Sequence, residues 1–234
     1  MKKYFEPISP YKLIDKKIYN ELLKYPIPLE NIIDVILRAQ NKINEGLNPK
    51  YNPEYWWMGI PMKEGTDLGG LYENAIRFRF NKIGILVFEE GNHNTGLDLS
   101  CITDPYYGIE IKTRQNLQFN NTNDRGRTHD STKYNGIEDK EHFYILIQQI
   151  SNTKSIPYTT KVKRIFFGRL SKRDFTNPNG TGAAYLKKDV RNRKCIEIWN
   201  DKIGNTINSY QAWLDNDYYE KMIELENEIK RFYT

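Results

Sequence analysis

Residues 97–112 read LDLSCITDPYYGIEIK and contain two short runs that alternate apolar and polar side chains. The runs cover 97–102 and 108–112, and the turn-forming pair Asp104-Pro105 lies between them. Alternation with a period of two is typical of a β-strand with one face buried, and Asp-Pro between two such runs indicates a hairpin. We therefore predict two antiparallel strands in the middle of the chain.

A pairing centred on Asp104 would place Asp98 opposite Glu110, because each lies six residues from the centre. Directly opposite residues have Cβ atoms roughly 4.5–5.5 Å apart on the same face of a sheet. Lys112 follows Glu110 by two residues and should point to that face, while the isoleucines beside Glu110 should point into the core. A register slip of one residue would turn Asp98 to the wrong face, so the inference depends on the turn.

Two neighbouring carboxylates and a lysine suit the metal-dependent hydrolysis of a phosphodiester. Mg²⁺ binds oxygen ligands in near-octahedral geometry and takes few protein carboxylates. Asp98 and Glu110 could share one such ion. Lys112 could orient a water molecule or stabilise charge that develops on phosphorus.

The arrangement of Asp98 and, twelve residues later, Glu110-Ile111-Lys112 resembles the active-site motif of the PD-(D/E)XK nuclease superfamily, which includes many type II restriction endonucleases. The resemblance covers roughly residues 69–115. It departs from the common pattern at Leu97, where many members have a proline before the aspartate.

The resemblance implies Asp98, Glu110 and Ile111 as metal ligands and Lys112 as a catalytic residue. Superfamily members often have an auxiliary glutamate on a preceding helix, and Glu73 matches by position. Glu73 could instead form an ion pair with the arginine four residues later on the same helix. The resemblance also implies a homodimer that acts on a palindromic site in double-stranded DNA, with Mg²⁺ as cofactor.

The remaining elements predict a mixed central β-sheet flanked by helices, of class α/β with α+β as the alternative. The resemblance implies a restriction-endonuclease-like core. Apolar residues at helical spacing predict a helix over 29–46, and a second helix should begin near Thr66. Strands are predicted at 83–88, 143–150 and 164–170, and terminal helices at 209–232. Residues 114–136 are polar with almost nothing to bury, and so long a stretch in a compact domain indicates either a functional loop or an element that the pattern does not reveal.

The length of 234 residues favours one nuclease domain over 1–234, with a helical region of about 1–64 and a catalytic core of about 65–170. No apolar run approaches the ~20 residues of a membrane helix. Two cysteines without a CxxC motif exclude a disulfide framework, and the absence of a P-loop argues against a nucleotide cofactor. We expect a soluble, cytoplasmic protein of a bacterial or archaeal cell.

Positive charge is concentrated in residues 161–194, which contain eleven basic side chains against Asp174 and Asp189, a net charge of +9 in a chain of +5 overall. Like charges so close in sequence repel one another unless an anion compensates them. Nucleic acid is the expected anion, and a solvated basic surface is the alternative.

Two polar segments could contact DNA. The first leaves the strand that bears Glu110, and its Asn, Gln and Arg side chains suit bonds to purine edges. The second is part of the basic segment and suits phosphate contacts. The predicted DNA-binding residues are Arg114, Gln115, Asn120, Asn121, Asn123, Arg125, Arg127 and Lys133 in the first, and Lys172, Arg173, Lys187 and Lys188 in the second.

Together these features predict a Mg²⁺-dependent, site-specific endonuclease of the type II restriction kind. A repair or recombination nuclease of the same superfamily is one alternative. A non-catalytic nucleic-acid-binding protein is another, although a protein that only binds does not need Asp98 and Glu110 side by side.

Overall fold

The computed structural model describes residues 16–48, 66–90, 97–121, 141–152, 158–176 and 184–207. The terminal helices predicted at 209–232 lie outside these residues. The described helices are α1 (Lys16–Leu23), α2 (Leu29–Gly46), α3 (Thr66–Ile83) and α4 (Lys188–Lys194). The described strands are β1 (Phe88–Glu90), β2 (Leu99–Cys101), β3 (Ile109–Arg114), β4 (Asn120–Asn121), β5 (His142–Asn152), β6 (Thr159–Leu170), β7 (Ala184–Tyr185), β8 (Cys195–Asn200) and β9 (Gly204–Asn205).

Seven strands form one mixed sheet in the order β1-β2-β3-β5-β6-β8-β9. β3 and β5 run parallel, and the other neighbouring strands run antiparallel. A parallel pair needs a crossover, and here the chain between β3 and β5 includes β4, which belongs to a separate two-stranded sheet with β7. The α/β class with a mixed central sheet is therefore confirmed.

The helices α1, α2 and α3 share one apolar core with the first face of the sheet. On α2 the buried residues are Leu29, Ile32, Ile33, Val35, Ile36, Ala39 and Ile43, which form one stripe at helical spacing. The predicted bounds of α2 and the predicted start of α3 are confirmed. No helix in the described ranges has the length and apolarity needed to cross a membrane.

A smaller apolar cluster covers the second face of the sheet. It consists of Phe119, Tyr144, Leu146, Phe166, Leu170, Phe175, Leu186 and Cys195. Because Tyr144 and Leu146 come from β5, and Phe119 and Leu186 flank the sheet of β4 and β7, this cluster joins the small sheet to the large one. Within 114–136, the alternative of an element that the pattern does not reveal holds at β4, whose backbone pairs with β7.

The strand predicted at 83–88 was also wrong in its bounds. Ile83 ends α3, Gly84 has a φ of +76°, and β1 begins only at Phe88. A glycine with positive φ ends a helix readily because it has no side chain to clash with the backbone. The Asn81 side chain then binds both the N–H and the carbonyl of Phe88, each at 2.7 Å, and fixes the start of the strand.

Candidate active site

The strands β2 and β3 have the register that the sequence predicted. Leu99 pairs with Ile109, so one further step places Asp98 opposite Glu110. The connection contains a 3₁₀ helix, Pro105–Tyr107, and the Asp104 side chain accepts a hydrogen bond from its Tyr106 N–H. Asp104 thus stabilises the turn that determines the register.

Asp98 and Glu110 are linked by hydrogen bonds that cross between the strands. The Asp98 N–H donates to Glu110 Oε2 at 3.2 Å, and the Ile111 N–H donates to Asp98 Oδ2 at 2.8 Å. Each carboxylate therefore accepts a main-chain N–H from the strand of the other. This exchange brings the two side chains together.

The Lys112 ammonium lies between the two carboxylates. Its Nζ is 2.6 Å from Glu110 Oε1 and 3.2 Å from Asp98 Oδ2. The side chain of Glu110 is fully buried, and those of Asp98 and Lys112 are 13% and 14% exposed. Two carboxylates in a site of such low exposure repel each other strongly, and the lysine offsets that repulsion.

The donor set of this site fits a hard divalent cation. Asp98 and Glu110 supply carboxylate oxygens, and the Ile111 side chain is buried in the core, so only the Ile111 carbonyl could serve as a ligand. No group of three or more Asp, Glu, His or Cys side chains that could hold a metal occurs among the residues with described positions. Two carboxylates completed by main-chain and water oxygens are what Mg²⁺ commonly accepts in proteins.

Glu73 lies on α3 beside the end of β3. A methyl group added to Gly69 would be 3.4 Å from Thr113 Oγ1 and 3.9 Å from Glu73 Oε1. Both distances are ordinary van der Waals contacts, so the first turns of α3 pack beside Thr113, which points to the face of β3 opposite Lys112. Arg77, the alternative partner considered above, donates a hydrogen bond to Asn74 at 2.8 Å.

Arg114 is the last residue of β3, and Gln115 follows it. Arg114 donates to the Thr113 carbonyl at 3.1 Å, and burial lowers its pKa while nearby Tyr185 opposes that shift. Gln115 donates to Ser151 Oγ at 3.2 Å, and Gln148 donates to the Gln115 carbonyl at 3.1 Å. These contacts hold the start of the polar segment against β5.

The rest of the first predicted DNA-binding segment is only partly described. The backbone of Asn120 and Asn121 forms β4, which pairs with Tyr185 and Ala184 of β7. The Leu186 N–H also donates to the Phe119 carbonyl at 2.8 Å. The two predicted DNA-binding segments are therefore joined by main-chain hydrogen bonds. Asn123, Arg125, Arg127 and Lys133 lie outside the described residues, as do the side chains of Asn120 and Asn121.

The basic segment 161–194 is compensated in part by carboxylates elsewhere in the described part of the chain. Five of its cations form ion pairs with carboxylates, namely Lys161 and Lys163 with Asp201, Arg164 with Glu197, Arg169 with Glu21, and Lys194 with Glu141 and Asp174. The need of the segment for an external anion is therefore reduced but not removed, because four carboxylates from outside it offset only part of its net charge of +9. All these carboxylates except Asp174 lie outside the segment, so the local charge count missed them.

The predicted phosphate-binding residues are not among those five cations. Arg173, Lys187 and Lys188 are exposed, and Lys187 Nζ donates to the Arg173 carbonyl at 2.9 Å. The Lys172 side chain lies outside the described residues. The exposed basic surface formed by Arg173, Lys187 and Lys188 is therefore smaller than the sequence implied. It lies next to the sheet of β4 and β7, because Lys187 and Lys188 closely follow β7.

Glu197 and Arg191 are buried charged residues on the face of the sheet that carries Lys112, and they were not predicted. Glu197 lies between Ile196 and Ile198 in a strand that is otherwise apolar up to its final asparagine. A charged residue in such a strand is the sequence feature from which it could have been predicted. Arg191 had no such signal, because it lies among other basic residues of α4.

Comparison with known proteins agrees with this geometry. A family model described as ScaI restriction endonuclease matches residues 9–199, which include every described residue of the site and most of the chain. No curated protein matches the sequence. The chain therefore belongs to the ScaI restriction endonuclease family, a family of type II restriction enzymes, and is a DNA endonuclease.

Proposed function

We propose that Asp98, Glu110 and the Ile111 carbonyl hold one Mg²⁺ ion, and that Lys112 acts beside it in cleavage of the DNA backbone. The observation that carries this proposal is the position of the Lys112 ammonium between two carboxylates of low exposure. That position shows that the site already accommodates positive charge between the two acids. Such an ion, when bound, lowers the pKa of a water ligand and polarises the phosphoryl group.

The side chains of the site have separate tasks in this proposal. Asp98 and Glu110 direct their oxygens toward one point because each accepts an N–H from the opposite strand. The Lys112 Nζ, on the same face, orients the attacking water and stabilises negative charge that develops on the phosphoryl oxygens. Glu73, beside Thr113, orients a water molecule at the edge of the site.

We further propose that double-stranded DNA lies across the end of β3, where Arg114 and Gln115 leave the catalytic strand. Asn120, Asn121, Asn123, Arg125, Arg127 and Lys133 read base edges in this proposal, and Lys172, Arg173, Lys187 and Lys188 contact phosphates. The main-chain link between β4 and β7 supports one joint surface for both tasks. The enzyme acts as a homodimer in the cytoplasm, with one active site for each DNA strand.

Incubation of the protein with a long DNA and Mg²⁺ tests the catalytic proposal. Wild-type protein should give discrete fragments, and Asp98→Asn and Glu110→Gln variants should give none. Because Lys42 and Glu45 form an exposed ion pair on α2, Glu45→Gln serves as the control and should cleave normally. Cleavage by Asp98→Asn within a few-fold of wild type would contradict the assignment.

A further inference from the structure

A second set of charged residues lies on the catalytic face of the sheet, around the ring of Phe166. Phe166 pairs with Leu146, and Leu146 pairs with Lys112, so Phe166 is two strands away from the catalytic lysine. Two strand spacings correspond to about 10 Å. The group is therefore close to the active site but separate from it.

The guanidinium groups of Arg164 and Arg191 both contact this ring. Their central carbons lie 4.9 Å and 5.7 Å from the ring centre. Arg164 comes from β6 and Arg191 from α4, so the sheet and the covering helix each contribute one cation. Stacking on the ring holds the planes of both guanidinium groups in place and leaves the edges of these groups available for hydrogen bonds.

The carboxylate at this group accepts two hydrogen bonds from one of the two cations. The Glu197 carboxylate accepts a hydrogen bond from Arg164 Nε at 2.6 Å and a second one from Arg164 Nη2. It also accepts a hydrogen bond from Asn200 Nδ2 at 2.8 Å. Arg191 donates only from Nη1, to the Leu117 carbonyl at 2.9 Å. Its Nε is buried and has no hydrogen-bond partner within the described part of the chain.

Among the described residues, two cations and one carboxylate contact one another here, so this part of the group has an excess of positive charge. Burial lowers the pKa of Arg191 and the proximity of Arg164 lowers it further, while Cys195 and Glu197 oppose the shift without reversing it. A buried cation without a matching anion is unfavourable, and an anionic ligand would remove that cost. The side chain of Arg164 is 20% exposed, so one edge of the pair reaches solvent.

We propose that Arg164 and Arg191 form a site for a DNA backbone phosphate other than the phosphate that is cleaved. Arg164 contacts the phosphate through its exposed edge. Arg191 adds positive charge from behind and, through Leu117, connects the site to the segment that leaves the catalytic strand. The site thus fixes the position of the DNA backbone relative to Lys112.

The test measures DNA affinity as a function of salt concentration for the double variant Arg164→Gln/Glu197→Gln, without divalent metal. This variant removes the ion pair without changing the net charge, so a general electrostatic effect is excluded. The slope of log affinity against log salt should become shallower by about 0.9, the value for one phosphate contact. The control Asp34→Asn/Arg38→Gln removes an exposed ion pair of α2 and should keep the wild-type slope.

An unchanged slope with an unchanged affinity would show that Arg164 and Glu197 are only a structural pair, and the proposal would fail. If the double variant does not fold, arginine modification of the wild-type protein by phenylglyoxal decides the matter. DNA should protect Arg164 and leave Arg38 reactive. Lack of protection would overturn the proposal, and equal protection by inorganic phosphate at the same ionic strength would show a site for free phosphate instead.

Discussion

The Nζ atom of Lys112 lies 2.6 Å from Oε1 of Glu110, a carboxylate that has no exposure to solvent. The two side chains can make this contact because residues two apart on a strand lie on the same face of the sheet. It also connects stability to catalysis, since the cation that neutralises Glu110 in the absence of metal is the one proposed to act in cleavage.

Replacement of Lys112 by methionine should destabilise the protein in the absence of metal. Removal of one partner of a buried ion pair costs about 3–5 kcal/mol, because the other charge stays buried without compensation. Added Mg²⁺ should restore much of the loss by taking the place of the ammonium. Urea unfolding with EDTA and with Mg²⁺ measures both effects. Lys42→Met, which breaks an exposed pair, should change the free energy of unfolding by less than about 1 kcal/mol.

Asp98→Asn and Glu110→Gln should each abolish cleavage and preserve DNA binding in metal-free buffer. Binding should equal or exceed that of the wild type, because a negative charge near the phosphates has been removed. Cleavage on gels and fluorescence anisotropy with a labelled duplex measure the two properties separately. A loss of metal-free binding together with cleavage would show that these residues support the fold and not the chemistry.

Charge reversal at Lys187 and Lys188 should weaken DNA binding and make its salt dependence shallower. Each lost phosphate contact changes the slope of log affinity against log salt by about 0.9. Lys17→Glu/Lys24→Glu on the helical side is the control with the same net charge. Equal slopes for the two double variants would indicate that Lys187 and Lys188 belong to a solvated surface.

Alanine at Asn120, Asn121 and Asn123 should reduce cleavage of the cognate site far more than non-specific binding. Each bidentate contact with a purine edge contributes ~1–3 kcal/mol of discrimination. The measurement compares cleavage rates on the cognate site and on sites with one changed base pair. If the triple variant retains the wild-type ratio, base recognition resides elsewhere.

Asp201 should contribute to stability at neutral pH and lose that contribution in acid. The hydrogen bond from Lys163 holds the pKa of Asp201 below its usual value, with a further effect from Lys161. The contribution is present above the unfolded pKa of about 4 and disappears as the pH falls through the lower folded pKa. Asp201→Asn should therefore show a smaller decrease in thermal stability than the wild type between neutral and acidic pH.

The hairpin and its acidic pair were predictable from sequence because their cause is local. Alternation identifies the strand faces, and Asp104 with Pro105 marks the position of the turn. The pairing of Asp98 with Glu110 then follows from counting residues on each side of that turn. The periodicity of 29–46 determined α2 for a similar reason, since the helical stripe must face a core. Glycine at position 84 gave a local signal for the end of α3, but the apolar run around it concealed that signal.

The compensation of charge could be decided only by the tertiary structure. Glu21 of α1 pairs with Arg169, and Glu197 of β8 pairs with Arg164, because β6 contacts both α1 and β8. No local sequence signal relates these positions. The joining of β4 to β7 likewise depends on main-chain hydrogen bonds, which any side chain except proline permits. The sequence alone determined which residues share a face, because strand and helix periods are local. Which distant faces meet was decided by packing of the whole chain.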